Sequence, residues 1–163
     1  MQEQTKVLHL ASRLQCTPKK AFQMFTVNEL VESWLVRPYG GLSAEIEPRV
    51  GGKYELFWDP KDRENDSTIG CKVTAIQADK FLAFEWKGPK QFKHFMNTAD
   101  PLTHVVVFFV PLSGRDKLTT EVNLIHSGWG SSPQWMDAIR YFEAAWNSAL
   151  QNLAKEVNSA TPA

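Results

Sequence analysis

The residues able to do chemistry in this chain are few and scattered. Four histidines, His9, His94, His104 and His126, are the residue type best suited to proton transfer. His126 is the best placed of them. Alternation along Thr120-x-Val122-x-Leu124-x-His126 sets it on the apolar face of a strand, just before Gly128. A histidine there orients a ligand, acts as a general base, or simply hydrogen-bonds at a strand end. His94 and His104 flank a long segment without a fixed partner, and His9 lies in the first strand. Cys16 and Cys71 form no C-x-x-C, so neither a disulfide framework nor a zinc site is expected. Neither is read as an activated thiolate, and Cys16 is expected to be inert. The acidic run Asp59, Asp62, Glu64, Asp66 lacks the spacing of a calcium loop and reads as a solvated turn. Arg37 and Tyr39 are candidates for lining an entrance, and Glu55 and Glu85 are expected to face solvent. There is no H-E-x-x-H, G-x-S-x-G or phosphate-loop pattern. No cofactor or metal is expected, and binding is favoured over catalysis.

These residues must be positioned by elements the periodicity defines. Residues 5–16 alternate as a strand. Thr17-Pro18 supplies an N-cap and a first-turn proline for a short helix over 18–26, carrying Ala21, Phe22 and Phe25 on one face. A second short helix fits 28–35, with Leu30, Val31, Trp34 and Leu35 on one stripe, ended by Pro38, Gly40 and Gly41. Strands follow at 42–47, 53–59, 67–77, 81–87, 104–112 and 117–127. A polar hairpin fills 59–66, and a bulge is expected near Ala75-Ile76. Residues 104–112 are apolar on both faces and should be covered on both or lie under a loop. From Ser132-Pro133 to about Val157 the pattern is helical, with Trp135, Ile139, Phe142, Trp146, Ala149 and Leu153 on one stripe.

Composition narrows the class. The 163 residues suggest one domain over 1–163. The 18 basic and 18 acidic residues balance, which does not favour a nucleic acid or an anionic membrane as partner. The start MQEQTKVLHLASRLQCT has no basic stretch before a long apolar run, and the run VVVFFVPL is too short to span a membrane. A cytoplasmic location is the default, as a monomer or weak dimer.

The element order is strand, two short helices, a run of strands, one long helix. This predicts an α+β fold in which a curved antiparallel sheet of six or seven strands wraps around the C-terminal helix. The 6 Trp and 10 Phe either fill the core or line a cavity. If space remains, its lining comes from the inward positions: Trp34, Tyr54, Leu56, Trp58, Leu82, Phe84, Trp86, Val122 and Leu124, with His126 beside them and Ile139, Phe142 and Trp146 from the helix. The segment Gly88–Pro101, with Phe92, Phe95 and Met96, is either a lid or a self-packed loop.

Several motifs together carry a family resemblance. They are Pro18 with Phe22 and Phe25, Ser33-Trp34, Gly51-Gly52-Lys53-Tyr54, Leu82-x-Phe84-x-Trp86, Thr120 through Gly128-Trp129, and Trp146-x-x-Ala149-Leu150-x-x-Leu153. In order and spacing the chain resembles the START-like (SRPBCC, Bet-v-1-like) helix-grip superfamily. Within it, the chain is similar to the group related to the C-terminal domain of the heat-shock-protein-90 ATPase activator. The resemblance implies a helix-grip fold and a cavity able to take small hydrophobic or amphipathic molecules. It also implies a co-chaperone-like module with a possible chaperone partner in a stress-related setting, or a cyclase- or hydrolase-type enzyme using the same cavity. The two-domain activators carry a further N-terminal domain for which these residues show no counterpart.

Overall fold

The computed structural model describes residues 6–112 and 118–159. Strand β1 (Leu8–Leu14) leads through Thr17, whose Oγ1 accepts the Lys20 N–H at 3.1 Å, into α1 (Pro18–Thr26). Helix α2 (Asn28–Val31) runs on through a π-type turn at Glu32–Val36 and a 3-10 turn at Arg37–Tyr39. Trp34 is fixed inside this segment: it is fully buried and donates its indole N–H to the Met24 carbonyl at 2.8 Å.

The strands are β2 (Ser43–Ile46), β3 (Tyr54–Phe57), β4 (Val73–Gln77), β5 (Phe81–Trp86), β6 (Thr103–Leu112) and β7 (Thr119–Ser127). All pair antiparallel. Five form one sheet in the order β1-β7-β6-β5-β4, while β2 and β3 form a separate hairpin. The single sheet expected from sequence is therefore interrupted, and Thr68 is the cause. Its hydroxyl accepts the Leu56 N–H and donates to the Tyr54 carbonyl, taking places a ladder strand would fill. Isolated bridges, Lys53 with Lys72 and Phe57 with Ser67, and separate main-chain bonds such as Tyr54 N–H to the Cys71 carbonyl and Trp58 N–H to the Asp66 carbonyl carry the pairing across. The register shift expected near Ala75-Ile76 falls between Val73 and Ala75. On the far edge, Asn28 Oδ1 and Glu32 Oε2 accept the Ile46 and Ala44 N–H groups at 2.9 Å. Helix side chains thus close a sheet edge that would otherwise stand open.

A short turn of helix, α3 (Lys93–Met96), follows β5, and the C-terminal helix is α4 (Pro133–Ser159), 27 residues or about 40 Å long. Ala138, Ile139, Phe142, Trp146, Ala149, Leu150, Leu153 and Val157 form its buried stripe. On the facing sheet the buried positions alternate as Thr120, Val122, Leu124 and His126 on β7, and Thr103, Val105, Val107 and Phe109 on β6.

Two expectations fail. Strand β6 is not covered on both faces: on the outer side of the sheet Phe108 and Val110 are exposed. Glu55 does not face solvent. It is buried and accepts the Gly70 N–H at 3.0 Å, while Glu85 is half-buried and accepts the Lys72 N–H. Parts of the expected first and last strands, at Thr5 and Lys117, and the tail at 160–163 lie outside the described residues.

The turn into β3 is tight. A Cβ at Gly52 would collide with the Glu47 carbonyl oxygen, and the Gly52 carbonyl receives the Val73 N–H. Gly52→Ala is expected to lower stability by about 1–3 kcal/mol, the cost of overpacking a rigid contact, read from the urea midpoint at unchanged slope.

Candidate functional site

Alternation along β5 places Leu82, Phe84 and Trp86 on the face toward α4, and all three are buried. Phe84 is stacked on Tyr54, with ring centroids 3.8 Å apart, so the middle of the interface is filled by rings. At the C-terminal end of β5, Trp86 meets Trp146 of α4 at 5.0 Å and Trp58 at 5.9 Å. Trp58 is held by its own indole N–H, which donates to the Leu35 carbonyl at 2.9 Å.

His126 sits directly behind these rings, fully buried. Trp146 Nε1 lies 3.0 Å from His126 Nδ1. An indole nitrogen only donates, so Nδ1 is the acceptor and Nε2 carries the proton. Nε2–H then donates to Thr103 Oγ1 at 3.0 Å, and the Thr103 hydroxyl donates to the Trp86 carbonyl at 3.2 Å. Trp129 closes the group by donating to the His126 carbonyl at 2.9 Å. Burial, and secondarily the neighbouring His104, hold the His126 ring well below its ordinary pKa. Both ring nitrogens are committed to this joint, an arrangement suited to holding two tryptophans in place rather than to moving protons.

A hollow of about 340 Å³ opens beside the joint. Trp58, Trp86, Phe142 and Trp146, all nominated from sequence, belong to its wall. Trp34, Tyr54, Leu56, Leu82, Phe84, Leu124, His126 and Ile139 do not; they are buried in the packed core. Tyr39, read as an entrance residue, is in the wall, whereas Arg37 is not and instead pairs with Glu32 at 3.3 Å. Sequence reasoning missed Leu35 as a wall residue and also Asp66, Lys87, Tyr141 and Ala145. The exposed Tyr39 and Tyr141 mark the rim. Tyr39 is tied to α4, its hydroxyl 2.8 Å from Ser148 Oγ and accepting from Asn152 Nδ2 at 3.2 Å. Burial first, then the Asp66 carboxylate, raises the Tyr141 hydroxyl above its usual pKa.

The segment Gly88–Pro101 supplies another part of the wall through Gly88 and Pro89. It is pinned down: Gly88 N–H donates to Asn97 Oδ1 at 2.7 Å, Lys90 N–H donates to Asp66 Oδ1 at 2.8 Å, and Phe92 and Phe95 pack on Tyr141 and Trp135. Other candidates act locally. Asp62 accepts from Glu64 N, Asn65 N and Asn65 Nδ2, hydrogen bonds that hold its carboxyl low and shape the turn. Burial pushes the Cys71 thiol up to about 12 and also raises Cys16, so both remain thiols. His104 bonds Thr74 Oγ1, and His9 bonds Asn123 Oδ1. Among the described residues no three His, Cys, Asp or Glu side chains gather as a metal site, and no helix is long and apolar enough to cross a membrane.

With this geometry in view, comparison with known proteins is decisive for the family. Residues 15–158 match the model of the family described as activator of Hsp90 ATPase homolog 1-like protein. The chain belongs to that family. No curated protein sequence matches it significantly. Solved structures share the fold of this activator-homologue chain. A protein from Mesorhizobium loti is 16% identical with a TM-score of 0.70, covering 96% of this chain and 100% of that one. An HSP90 activator from Plasmodium falciparum is 20% identical with a TM-score of 0.67, covering 96% and 97%. The Aha1 dimer from Colwellia psychrerythraea is 15% identical with a TM-score of 0.67, covering 93% and 96%. Identities this low carry the helix-grip fold and nothing finer.

The His126 joint has a pH signature. Its folded pKa is depressed, so the unfolded chain binds the proton more readily, and stability falls as pH drops below about 6.5 toward the folded value. His104, also lowered by burial, adds in the same direction. The urea midpoint of the native protein should therefore decline between pH 7 and 5, and His126→Gln should flatten that decline by up to about 1.4 kcal/mol per pH unit. The same variant should cost roughly 1–3 kcal/mol at pH 7 through donors left unpaired.

Proposed function

We propose that this chain binds and carries a small hydrophobic or amphipathic molecule in the hollow between the sheet and α4, acting as one domain over residues 1–163 in the cytoplasm. The observation carrying the reading is the composition of the hollow: three indole rings and a phenyl ring in the wall, with a few polar groups such as Asp66, Ser67 and Lys87 among them. Ligand sites in proteins are mostly apolar, with a few placed polar groups. Packing elsewhere in the interface is close, so a space lined by aromatics is a local feature rather than a loose core. Family membership supports a helix-grip frame for such a site.

A second reading has its own support. The family is described by an ATPase activator of the chaperone Hsp90, and the relative from Plasmodium falciparum is titled an HSP90 activator. The outer face of the sheet exposes Phe108 and Val110, apolar groups available to a protein partner. Co-chaperone activity is therefore the alternative, and a weak dimer is compatible with the dimeric relative. Catalysis by His126 has less support, since neither ring nitrogen is free to take a substrate proton.

Ala145→Phe separates the two main readings. Ala145 is half-buried in the wall on α4, and a phenyl ring there would occupy the hollow. Native mass spectrometry of protein purified from cells is expected to show a bound small molecule for the native chain and its loss in Ala145→Phe. Stimulation of Hsp90 ATPase that survives Ala145→Phe but disappears in Phe108→Ser/Val110→Ser would instead favour the co-chaperone role.

A further inference from the structure

We infer that the molecule the hollow takes is a flat aromatic acid, its rings held among the tryptophans and its carboxylate on the Lys87 ammonium. This deepens the binding role proposed above and rests on it. Size is the first constraint. A space of about 340 Å³ lies at the small end of ligand sites and is enough for two or three fused rings. Rigid rings also lose less conformational freedom on confinement than a flexible chain does. Aromatic walls favour ring partners through tilted and edge-on contacts of the kind Trp58, Trp86 and Trp146 already make with one another.

Hydrogen-bond capacity decides the polar end. Of the three indole N–H groups in the wall, Trp58 and Trp146 are satisfied by Leu35 and His126. Trp86 Nε1 is the buried side-chain polar atom without a partner among the described residues. The next residue, Lys87, donates one hydrogen bond, to the Ile69 carbonyl at 2.6 Å, leaving two of its three donors for a ligand. On the acceptor side, Asp66 Oδ1 takes the Lys90 N–H and the Ser67 hydroxyl takes the Ile69 N–H at 3.4 Å. With the Trp86 indole N–H and two Lys87 donors unused, the complementary ligand brings acceptors. A carboxylate meets this need and pairs with the one cation in the wall. Asp66 stands by the Tyr141 hydroxyl, so an anionic group is steered away from the tyrosine rim and toward Lys87.

The test uses the full chain, freed of copurifying molecules on a hydrophobic resin, in calorimetric titrations. The probes are 2-naphthoate, its methyl ester, 2-naphthylmethylammonium and decanoate. Naphthoate is expected to bind at least about tenfold more tightly than the ammonium compound and decanoate, the margin of a charge-assisted hydrogen bond. Lys87→Met should remove that margin and leave the ester unchanged, and Lys87→Arg should retain it. Tighter binding of decanoate or of the ammonium compound, or naphthoate binding indifferent to Lys87→Met in a variant with native circular dichroism, overturns the aromatic-acid class while leaving a binding role intact. Failure of all four probes to bind overturns the binding role itself.

Discussion

A single buried imidazole holds the sheet and the long helix in register. His126 accepts from Trp146 on α4, donates to Thr103 on β6, and offers its carbonyl to Trp129. Most of the surrounding interface is apolar contact, which resists separation but tolerates sliding. A buried hydrogen-bonded ring does not tolerate it, because any slip leaves donors unpaired in a region water cannot reach. The buried Trp146–His126 contact therefore helps to set the rotation of α4 about its axis, with the exposed Tyr39–Ser148 and Gln15–Asn158 bonds beside it. That rotation determines where Trp146 meets Trp86 and, with them, where the rings stop filling space.

The hollow then follows from how the sheet ends. Thr68 interrupts the ladder between β3 and the segment leading into β4, and the β2-β3 hairpin forms a separate two-stranded sheet joined to that segment by scattered main-chain bonds. Trp58 lies just past β3 and Trp86 at the end of β5, so they meet across this break. The loops around them are held rather than loose. Lys90 is tied to Asp66, Lys93 Nζ donates to Asn65 Oδ1 at 2.9 Å, and Gly88 is locked to Asn97 in both directions. A wall assembled from separate segments keeps its shape because each segment is fastened to a neighbour, which favours a preformed site over one that closes on its ligand.

The fold was legible where a periodic pattern had a clear cap. Thr17-Pro18 and the stripe from Trp135 to Leu153 announce α1 and α4, and the alternation from Leu82 to Trp86 announces β5. It was less legible where one polar side chain replaces a backbone partner. Glu55 and Thr68 read as a surface residue and an ordinary strand residue, yet both are buried and both accept main-chain N–H groups. The site shows a similar division. Alternation and helical spacing say which face a residue occupies, and on that basis Phe84 and Trp86 look equivalent. They differ in position along the strand, so Phe84 stacks on Tyr54 while Trp86 borders the hollow. Asp66 and Lys87 carry no periodic signal, since both lie outside the regular strands, and only the tertiary arrangement brings them to one rim.

Nuclear magnetic resonance of the indole N–H groups addresses the central claim most directly, with 2-naphthoate added to isotopically labelled protein. The account predicts that the signals of Trp58, Trp86 and Trp146 move and saturate together while that of Trp34, locked to Met24 in the core, stays in place. Spectra in which Trp34 shifts as much as the wall tryptophans, or in which none of them responds, would contradict it.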